Sequence, residues 1–432
     1  MALKSVWHDC LVFMRLLLVC LGVLFLPRIF FNYFPTSMHG KSNQDMYAFK
    51  LGIENVNEDF VSTLAESKNN SYRAAIVTNS ASQNQKGLRS VDILLEKGVP
   101  IKKIIAPQHG FFCDAVVGSP LIDCNDMITD IPIVSLHMRS LDVADVHDVD
   151  VIFFDLQDVG IQHYSYVSTL LRVMEVAAVA NKTIIVLDRP NVLGDGVEGL
   201  WSMKDAIEKG FSVIPLRYGM TLGELALHYN NTRFNNVVQL HVVPMSHYNR
   251  KAAHAHAVSG KLSPNIKSLA ACQGYSFLGL LGEVAPFDIG IGTEKSFQCI
   301  LLPERFQISK QTWYELRSQL AKLGIDGIFY RYFSDRKKEY CSGLHIAIKD
   351  VNNFSLIKVL VATLDFFKAE GVPLVFSRTF NDLPGMKIVV DRVNGTLSED
   401  SFKLEMQQSL ESFFSLASKS FIYRPLPKLI TT

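Results

Sequence analysis

Short hydrophobic runs recur along the first half of the chain and alternate with segments that have a helical pattern. The runs are AAIVT (74–78), KKIIA (102–106), IPIVSL (131–136), DVIFFDL (150–156), TIIVLD (183–188) and VVQLHVV (237–243). Strands that are apolar on both faces are typical of a parallel sheet covered by helices on both sides. The pattern therefore predicts an α/β fold built on a Rossmann-like, doubly wound and mostly parallel sheet.

Two of the intervening segments carry helix signals of their own. The segment after Gly160 has apolar residues at the spacing of an amphipathic helix, namely Val167, Leu170, Leu171, Met174 and Ala178. In TLGELALHY (221–229), Thr221 and Glu224 have the spacing of a capping box, in which each side chain bonds the backbone N–H of the other residue. Both patterns predict helices that connect neighbouring strands.

The alternation of runs weakens after about residue 245. The segments 317–333 and 343–367 combine helix and strand patterns, which predicts a smaller α/β unit of the α+β kind. We therefore predict a Rossmann-like N-terminal domain over residues 50–245 and a smaller C-terminal domain over residues 246–432 that completes a cleft.

The N-terminus has a different pattern. Lys4 and Arg15 precede an uncharged, mostly apolar run over residues 16–27. This run is shorter than the roughly 20 residues that span a bilayer as a helix and is typical of the hydrophobic core of a signal sequence. We predict that residues 1–35 form a signal peptide or a retained signal anchor, followed by a linker over 36–49. The protein would then be exported to the periplasm or cell envelope, with membrane anchoring through this segment if it is retained.

Composition and motifs exclude several classes of protein. The chain has 43 Lys+Arg against 42 Asp+Glu and a formal net charge of +1, so no basic surplus indicates nucleic-acid binding. The seven cysteines include no C-x-x-C pair, and G-x-G-x-x-G, Walker A and H-E-x-x-H sequences do not occur. The sequence therefore predicts no cofactor and no metal, and it does not indicate an oligomeric state.

Polar residues follow directly after four of the predicted strands. In open α/β sheets, ligands bind at the carboxyl ends of the strands, so these clusters predict one site. The densest cluster is DLQDVGIQHYSYVSTL (155–170), which combines carboxylates with tyrosine hydroxyls. Acids that act on glycosidic oxygen and aromatic rings that pack on sugar faces are typical of a saccharide site. Capping of a helix start explains one or two of these residues but not all of them.

Six motifs occur in a characteristic order: APQHGF, DLQDVGIQHYSYVSTL, LDRPN, VEG, YGMTLGELA and SPN. In this order they resemble the exo-β-N-acetylmuramidase (NamZ-like) family of peptidoglycan-recycling glycosidases. The resemblance implies two α/β domains with a cleft between them. It also implies removal of terminal N-acetylmuramic acid from peptidoglycan-derived saccharides, which is compatible with export.

The chain departs from the family pattern at three charged positions. Gln108 stands where the family carries a glutamate thought to be catalytic, and Gln162 and Ile291 stand where it carries arginines. A glutamine side chain can hydrogen-bond a sugar, but it cannot transfer the proton that glycoside cleavage requires. The chain is thus a divergent member, and these changes indicate altered or weakened catalysis.

The resemblance also assigns candidate site residues. The catalytic candidates are His109, Asp158 and Glu283. The candidates for substrate binding are Asn79, Gln108, Tyr164, Tyr166, Asp188, Arg189, Glu224 and Asn265. Structural roles remain open for four of these residues: Glu224 fits the capping box, Asp158 fits a helix start, and the pair Asp188 and Arg189 fits a brace at the sheet end.

Three functions are consistent with these observations. The first is a muramidase in which another carboxylate replaces the missing glutamate, and this is the function we favour. The second is a non-catalytic muropeptide- or glycan-binding envelope protein on the same scaffold. The third is a membrane-tethered structural protein with a vestigial cleft. A pair of carboxylates in the cleft would favour the first, because most glycosidases use two, and the absence of such a pair would favour the second.

Overall fold

A central sheet organises the first half of the protein. The computed structural model describes residues 49–431, apart from residues 117, 120, 122, 201–213 and 256–259. The predicted signal segment and all of the predicted linker except its last residue lie outside these described residues. The sheet contains β1 (Ala74–Thr78), β2 (Ile101–Ala106), β3 (Cys124–Asn125), β4 (Pro132–Ser135), β5 (Val151–Asp155), β6 (Thr183–Leu187) and β9 (Gln239–Val243).

The order of these strands is that of a doubly wound sheet. The described strands lie in the order β3-β4-β2-β1-β5-β6-β9, and all neighbouring pairs are parallel except β3 and β4. From β1 the chain therefore proceeds first towards β4 and then, in the opposite direction, through β5 to β9. This confirms the predicted α/β class and the Rossmann-like sheet.

Both faces of the sheet are buried, as the continuous apolar runs predict. In β1, Ala75 and Val77 join the core on one face, whereas Ala74 and Ile76 join the core on the other. This division follows from the strand geometry, since successive side chains point to opposite faces. Helices α1 (Glu58–Ser67) and α2 (Ser90–Glu96) contribute to one of these cores, and α3 (Ser165–Ala180) and α4 (Leu222–Thr232) contribute to the other.

The second half contains a smaller antiparallel sheet and a set of helices. Strands β11 (Cys299–Pro303), β12 (Ile325–Ser334) and β13 (Glu339–Ile348) form this sheet in the order β11-β13-β12. The helices are α5 (Leu269–Leu281), α6 (Lys310–Lys322), α7 (Leu356–Ala369), α8 (Arg378–Asp382), α9 (Met386–Asn394) and α10 (Glu399–Ala417). Strand β10 (Val284–Ala285) pairs with β14 (Val375–Phe376).

The last described residues return to the Rossmann-like part. Strand β15 (Lys428–Leu429) pairs with β7 (Gly196–Glu198), which in turn pairs with β8 (Arg217–Tyr218). The described helices include none that is both long and apolar enough to cross a bilayer.

Candidate active site

The switch point of the sheet lies between β1 and β5, where the chain reverses its direction of winding. Ligands of doubly wound sheets bind at the carboxyl ends of the strands beside this point. Here Asn79 follows β1, and its side-chain amide donates to the hydroxyl of Tyr166 at 2.6 Å. The hydroxyls of Tyr164 and Tyr166 lie 3.3 Å from the carbonyl oxygen of Leu262. The predicted clusters after β1 and β5 therefore meet, and a segment of the second half covers them.

Gln108 and His109 follow the neighbouring strand β2. The Oε1 atom of Gln108 accepts the backbone N–H of Met138 at 3.3 Å. The backbone N–H of His109 donates to Nδ1 of His137 at 3.2 Å, and Nδ1 of His109 donates to the carbonyl of Ala115 at 2.8 Å. His109 has a φ of 73°, a strained backbone conformation of a kind that clusters at functional sites. Burial lowers the pKa of His109, so its imidazole is neutral at pH 7.

A small cavity, the Gln108 cavity, lies beside this strand end and has a volume of about 180 Å³. It is lined by Gln108, Leu136, Arg139, Ser140, Leu141, Ser165, Ser168, Thr169 and Arg172. Arg139 pairs with Asp145 at 2.8 Å, and Arg172 pairs with Glu175 at 3.3 Å. Two guanidinium groups thus line the cavity, although the arginines that the family pattern places at 162 and 291 are absent.

A second cavity, the Glu283 cavity, adjoins the first. It has a volume of about 200 Å³ and shares Ser165 and Ser168 with the Gln108 cavity. Its lining is otherwise Gln162, His163, Tyr164, Tyr275, Gly279, Leu280, Glu283, Thr379 and Leu383. Besides two tyrosine hydroxyls, this lining contains one carboxylic acid, Glu283, and one imidazole, His163.

The imidazole of His163 has a restricted position in the Glu283 cavity. Its ring nitrogens form no hydrogen bond with the described residues. Burial lowers its pKa to about 4, and the backbone of Tyr275 opposes this shift. A Cβ atom at Gly279 would lie only 2.9 Å from Nε2, so this glycine provides the space that the ring occupies. A neutral imidazole has one donor and one acceptor nitrogen, so His163 can donate a hydrogen bond to, or accept one from, a bound molecule.

The carboxylate of Glu283 is held from the far side of the cavity. Its Oε2 atom accepts the hydroxyl of Ser377 at 2.6 Å, and its backbone carbonyl accepts the N–H of the same residue. Ser377 is also the N-cap of α8, since its side chain accepts the N–H of Phe380. The start of α8 therefore fixes the orientation of Glu283.

Asp158 is buried and does not line either cavity. Its Oδ2 atom accepts the N–H of Gly160 at 2.6 Å and the hydroxyl of Tyr218, whereas Oδ1 has no partner among the described residues. Burial raises the pKa of Asp158 to about 6. This environment suits a carboxyl group that accepts hydrogen bonds within the core. The catalytic role of Asp158 stays a prediction.

Asp188 and Arg189 brace the end of β6. Asp188 accepts the hydroxyls of Thr221 and Tyr423 at 2.7 and 2.6 Å, and it is fully buried. Arg189 forms a bidentate pair with Asp155 and is also buried. Both residues thus have protein partners and line neither cavity.

Glu224 and Asn265 are likewise held by the protein. Glu224 forms the predicted capping box with Thr221 and a buried ion pair with Arg250. The side-chain oxygen of Asn265 accepts the N–H of Gly292 at 3.3 Å. Of the predicted site residues, Gln108, Tyr164 and Glu283 line the two cavities.

Sequence reasoning missed several cavity residues. His163, Ser165 and Ser168 lie in the polar segment after β5, so the density of that segment was the signal available for them. Arg139 and Arg172 belong to no motif, and tertiary packing brings them to the cavity. The described residues contain no group of three or more His, Cys, Asp or Glu side chains placed to hold a metal ion.

The two adjoining cavities lie beside the carboxyl ends of the sheet strands, where doubly wound α/β proteins bind their ligands. Two models of one family match this chain: exo-β-N-acetylmuramidase NamZ, N-terminal, over residues 74–270, and its C-terminal counterpart over residues 273–423. The chain belongs to this family, which confirms the resemblance seen in the motifs.

Individual relatives agree with this assignment. The chain is 29% identical to the peptidoglycan β-N-acetylmuramidase NamZ of Bacillus subtilis (strain 168) over 367 residues, which cover 81% of this chain and 87% of the relative. A DUF1343 family protein of Bacteroides fragilis NCTC 9343 has a similar structure, with a TM-score of 0.71 and 26% identity over 87% of this chain and 99% of that protein. A second such protein of the same organism has a TM-score of 0.63 and 24% identity, with the same coverage.

Proposed function

We propose that this protein is a glycoside hydrolase that removes terminal N-acetylmuramic acid from peptidoglycan fragments, with weakened catalysis. Membership of the family and the activity of the Bacillus subtilis relative support this function. The observation that carries it is the presence of Glu283 and His163 in one polar cavity that adjoins Gln108. Proton-transfer groups are therefore present although the family's glutamate is not.

Glu283 is the proposed general acid. A carboxylic acid at this position would protonate the glycosidic oxygen as the bond to the anomeric carbon breaks. Most glycosidases use a second carboxylate, and no other Asp or Glu is found among the described residues that line the two cavities. One carboxylate is sufficient where the 2-acetamido group of the sugar attacks the anomeric carbon, as in substrate-assisted glycosidases. N-acetylmuramic acid carries such a group.

A non-catalytic glycan-binding protein is the second candidate. Gln108 favours it, as does the lack of a second carboxylate among the described residues that line the two cavities. The amide retains the hydrogen-bonding capacity of the family's glutamate without its proton. Such a protein would bind a muramyl saccharide in the same cavities and release it unchanged.

The deciding experiment is incubation of the purified protein with a muramyl-N-acetylglucosamine disaccharide, with products followed by mass spectrometry. We expect slow release of N-acetylmuramic acid. Binding of the disaccharide without any product would support the second candidate and contradict hydrolysis.

Substitution of Gln108 by glutamate is expected to increase this activity. General acid–base catalysis typically contributes about 10²–10⁴-fold, and a carboxylate at a preserved strand end should recover part of that factor. The arginines at 139 and 172 line the same cavity and would stabilise the ionised carboxylate. The measurement is the initial rate of N-acetylmuramic acid release by Gln108→Glu relative to wild type.

The control for this prediction is Gln319→Glu, which changes an exposed glutamine of α6 outside the two cavities. It should leave the rate unchanged. If wild type is fast and Gln108→Glu is slower, then Gln108 positions the substrate and the weakened-catalysis proposal is wrong.

Arginine at position 162 is a poorer test, because Gln162 is buried and donates to the carbonyl of Ile214 at 2.7 Å.

We also propose that residues 1–35 direct export and that the enzyme acts outside the cytoplasm. The charged residues and apolar run of this segment support the proposal. Fusion of residues 1–45 to a reporter that is active only after export should give an active reporter. A fusion that is inactive as an export reporter, while a cytoplasmic reporter on the same segment is active, would contradict it.

A further inference from the structure

A groove in the second half of the protein is larger than either cavity of the candidate active site. It lies between α6 and the sheet of β11, β12 and β13 and has a volume of about 750 Å³. Pockets that hold drug-sized ligands have volumes of roughly 300–1,000 Å³. None of its lining residues belongs to the Gln108 cavity or the Glu283 cavity. The groove is therefore a separate concave surface.

Exposed aromatic rings form one wall of this groove. Tyr314 of α6 and Phe329 of β12 are 49% and 43% exposed, and their ring centroids lie 4.7 Å apart in an edge-to-face arrangement. Aromatic side chains on a groove wall offer flat apolar faces to the C–H faces of a pyranose ring. Two neighbouring rings at an angle can contact successive sugars of a chain.

The floor of the groove contains a buried polar group without a partner. Trp313 lines the groove and is only 4% exposed, yet its indole N–H has no acceptor among the described residues. Buried Trp N–H groups usually have a hydrogen-bond partner. A Cβ at Gly343 would lie 2.8 Å from the Trp313 ring, so this glycine leaves room for the indole. The N–H itself is buried beneath the groove surface, so Trp313 supplies the packed floor of the groove.

The rim of the groove carries fixed hydrogen-bonding groups. Arg331 forms a bidentate pair with Glu304, with distances of 2.6 and 2.8 Å. Its guanidinium carbon also lies 3.8 Å from the ring centroid of Tyr340. These contacts restrict the guanidinium at the mouth of the groove. Apolar rings together with a mixed polar rim match a saccharide, which has hydroxyl and amide groups around apolar ring faces.

We propose that this groove is a second saccharide-binding site for a chain of N-acetylated hexosamines, such as the glycan strand of peptidoglycan. The site would hold a polymeric substrate while its end occupies the cavities at the switch point. The identity of the sugar rests on the proposed function, whereas binding in the groove does not require hydrolysis.

Titration calorimetry of the full chain with N-acetylchitotetraose tests this proposal. This probe has no terminal N-acetylmuramic acid, so the proposed hydrolase would not consume it. We expect wild type to bind it and Phe329→Ala or Tyr314→Ala to bind it about tenfold more weakly.

Phe333→Ala is the matched control, because Phe333 is 47% exposed on the same strand but does not line the groove. It should bind the probe as wild type does. Phe329→Ala should release N-acetylmuramic acid from the disaccharide at the wild-type rate, and this separates the groove from the proposed hydrolysis. No binding by wild type, or equal losses in Phe329→Ala and Phe333→Ala, would overturn the proposal. Loss of self-association in Phe329→Ala without any saccharide binding would identify a protein interface and also overturn it.

Discussion

Replacement of Glu283 by glutamine is expected to reduce the release of N-acetylmuramic acid from a muramyl disaccharide by about 10²–10⁴-fold. Glutamine has nearly the same shape and can still accept the hydroxyl of Ser377, but it cannot donate a proton to the glycosidic oxygen. With Gln108 also unable to ionise, the variant would have no carboxylate among the described residues of the two cavities. The measurement is the single-turnover rate, with the protein in excess over the disaccharide and at a concentration above the dissociation constant.

A binding measurement and a matched control variant make this result interpretable. Glu283→Gln should bind the disaccharide with an affinity close to that of wild type, because the substitution removes the proton and not the cavity. Glu294→Gln is the matched control, since Glu294 is 81% exposed in a surface pair with Lys267. A Glu283→Gln variant as active as wild type would contradict the assignment of Glu283 as the acid.

Loss of the buried ion pair between Glu224 and Arg250 is expected to have the largest effect on stability. Both side chains are fully buried, and Arg250 also donates to the carbonyls of Gly219 at 3.0 Å and Pro425 at 2.9 Å. Removal of one member of such a pair leaves an uncompensated buried charge, which costs about 3–5 kcal/mol. We expect Arg250→Met to reduce the free energy of unfolding by this amount in urea denaturation.

An exposed ion pair provides the comparison. Arg378 and Asp382 pair across one turn of α8, with side-chain exposures of 94% and 55%. Arg378→Met should change the free energy of unfolding by less than about 1 kcal/mol, because such pairs contribute little in water. The expectation for Arg250 would be wrong if both variants unfolded at the same urea concentration as wild type.

The substitutions at the site have a common electrostatic character. The chain has lost a glutamate at position 108 and arginines at positions 162 and 291 relative to the family pattern, while Arg139 and Arg172 line the Gln108 cavity. Both guanidinium groups already have carboxylate partners, Asp145 for Arg139 and Glu175 for Arg172, so their charges are compensated within the protein.

The amino-acid sequence by itself determined the elements of the N-terminal half. The hydrophobic runs correspond to β1, β2, β4, β5, β6 and β9. They are most continuous in β1, β5 and β6, because these strands are buried on both faces. The capping box of Thr221 and Glu224 was also readable, since its hydrogen bonds join residues three apart. The ordered motifs identified the family. These signals depend on residues that are close together in the sequence or on the order of motifs along the chain.

Only the tertiary structure decided which distant side chains meet. Asp188 accepts a hydroxyl from Tyr423, which is 235 residues away, and Glu224 pairs with Arg250 in the core. These partners occupy two carboxylates that the motifs had placed in the substrate site. Conversely, His163 contacts Tyr275 of α5 and lies in one cavity with Glu283, 120 residues further along the chain. Periodicity specifies which face of an element is buried, but long-range packing specifies its neighbour. For this reason Glu283 could be chosen as the proposed general acid only from the tertiary structure.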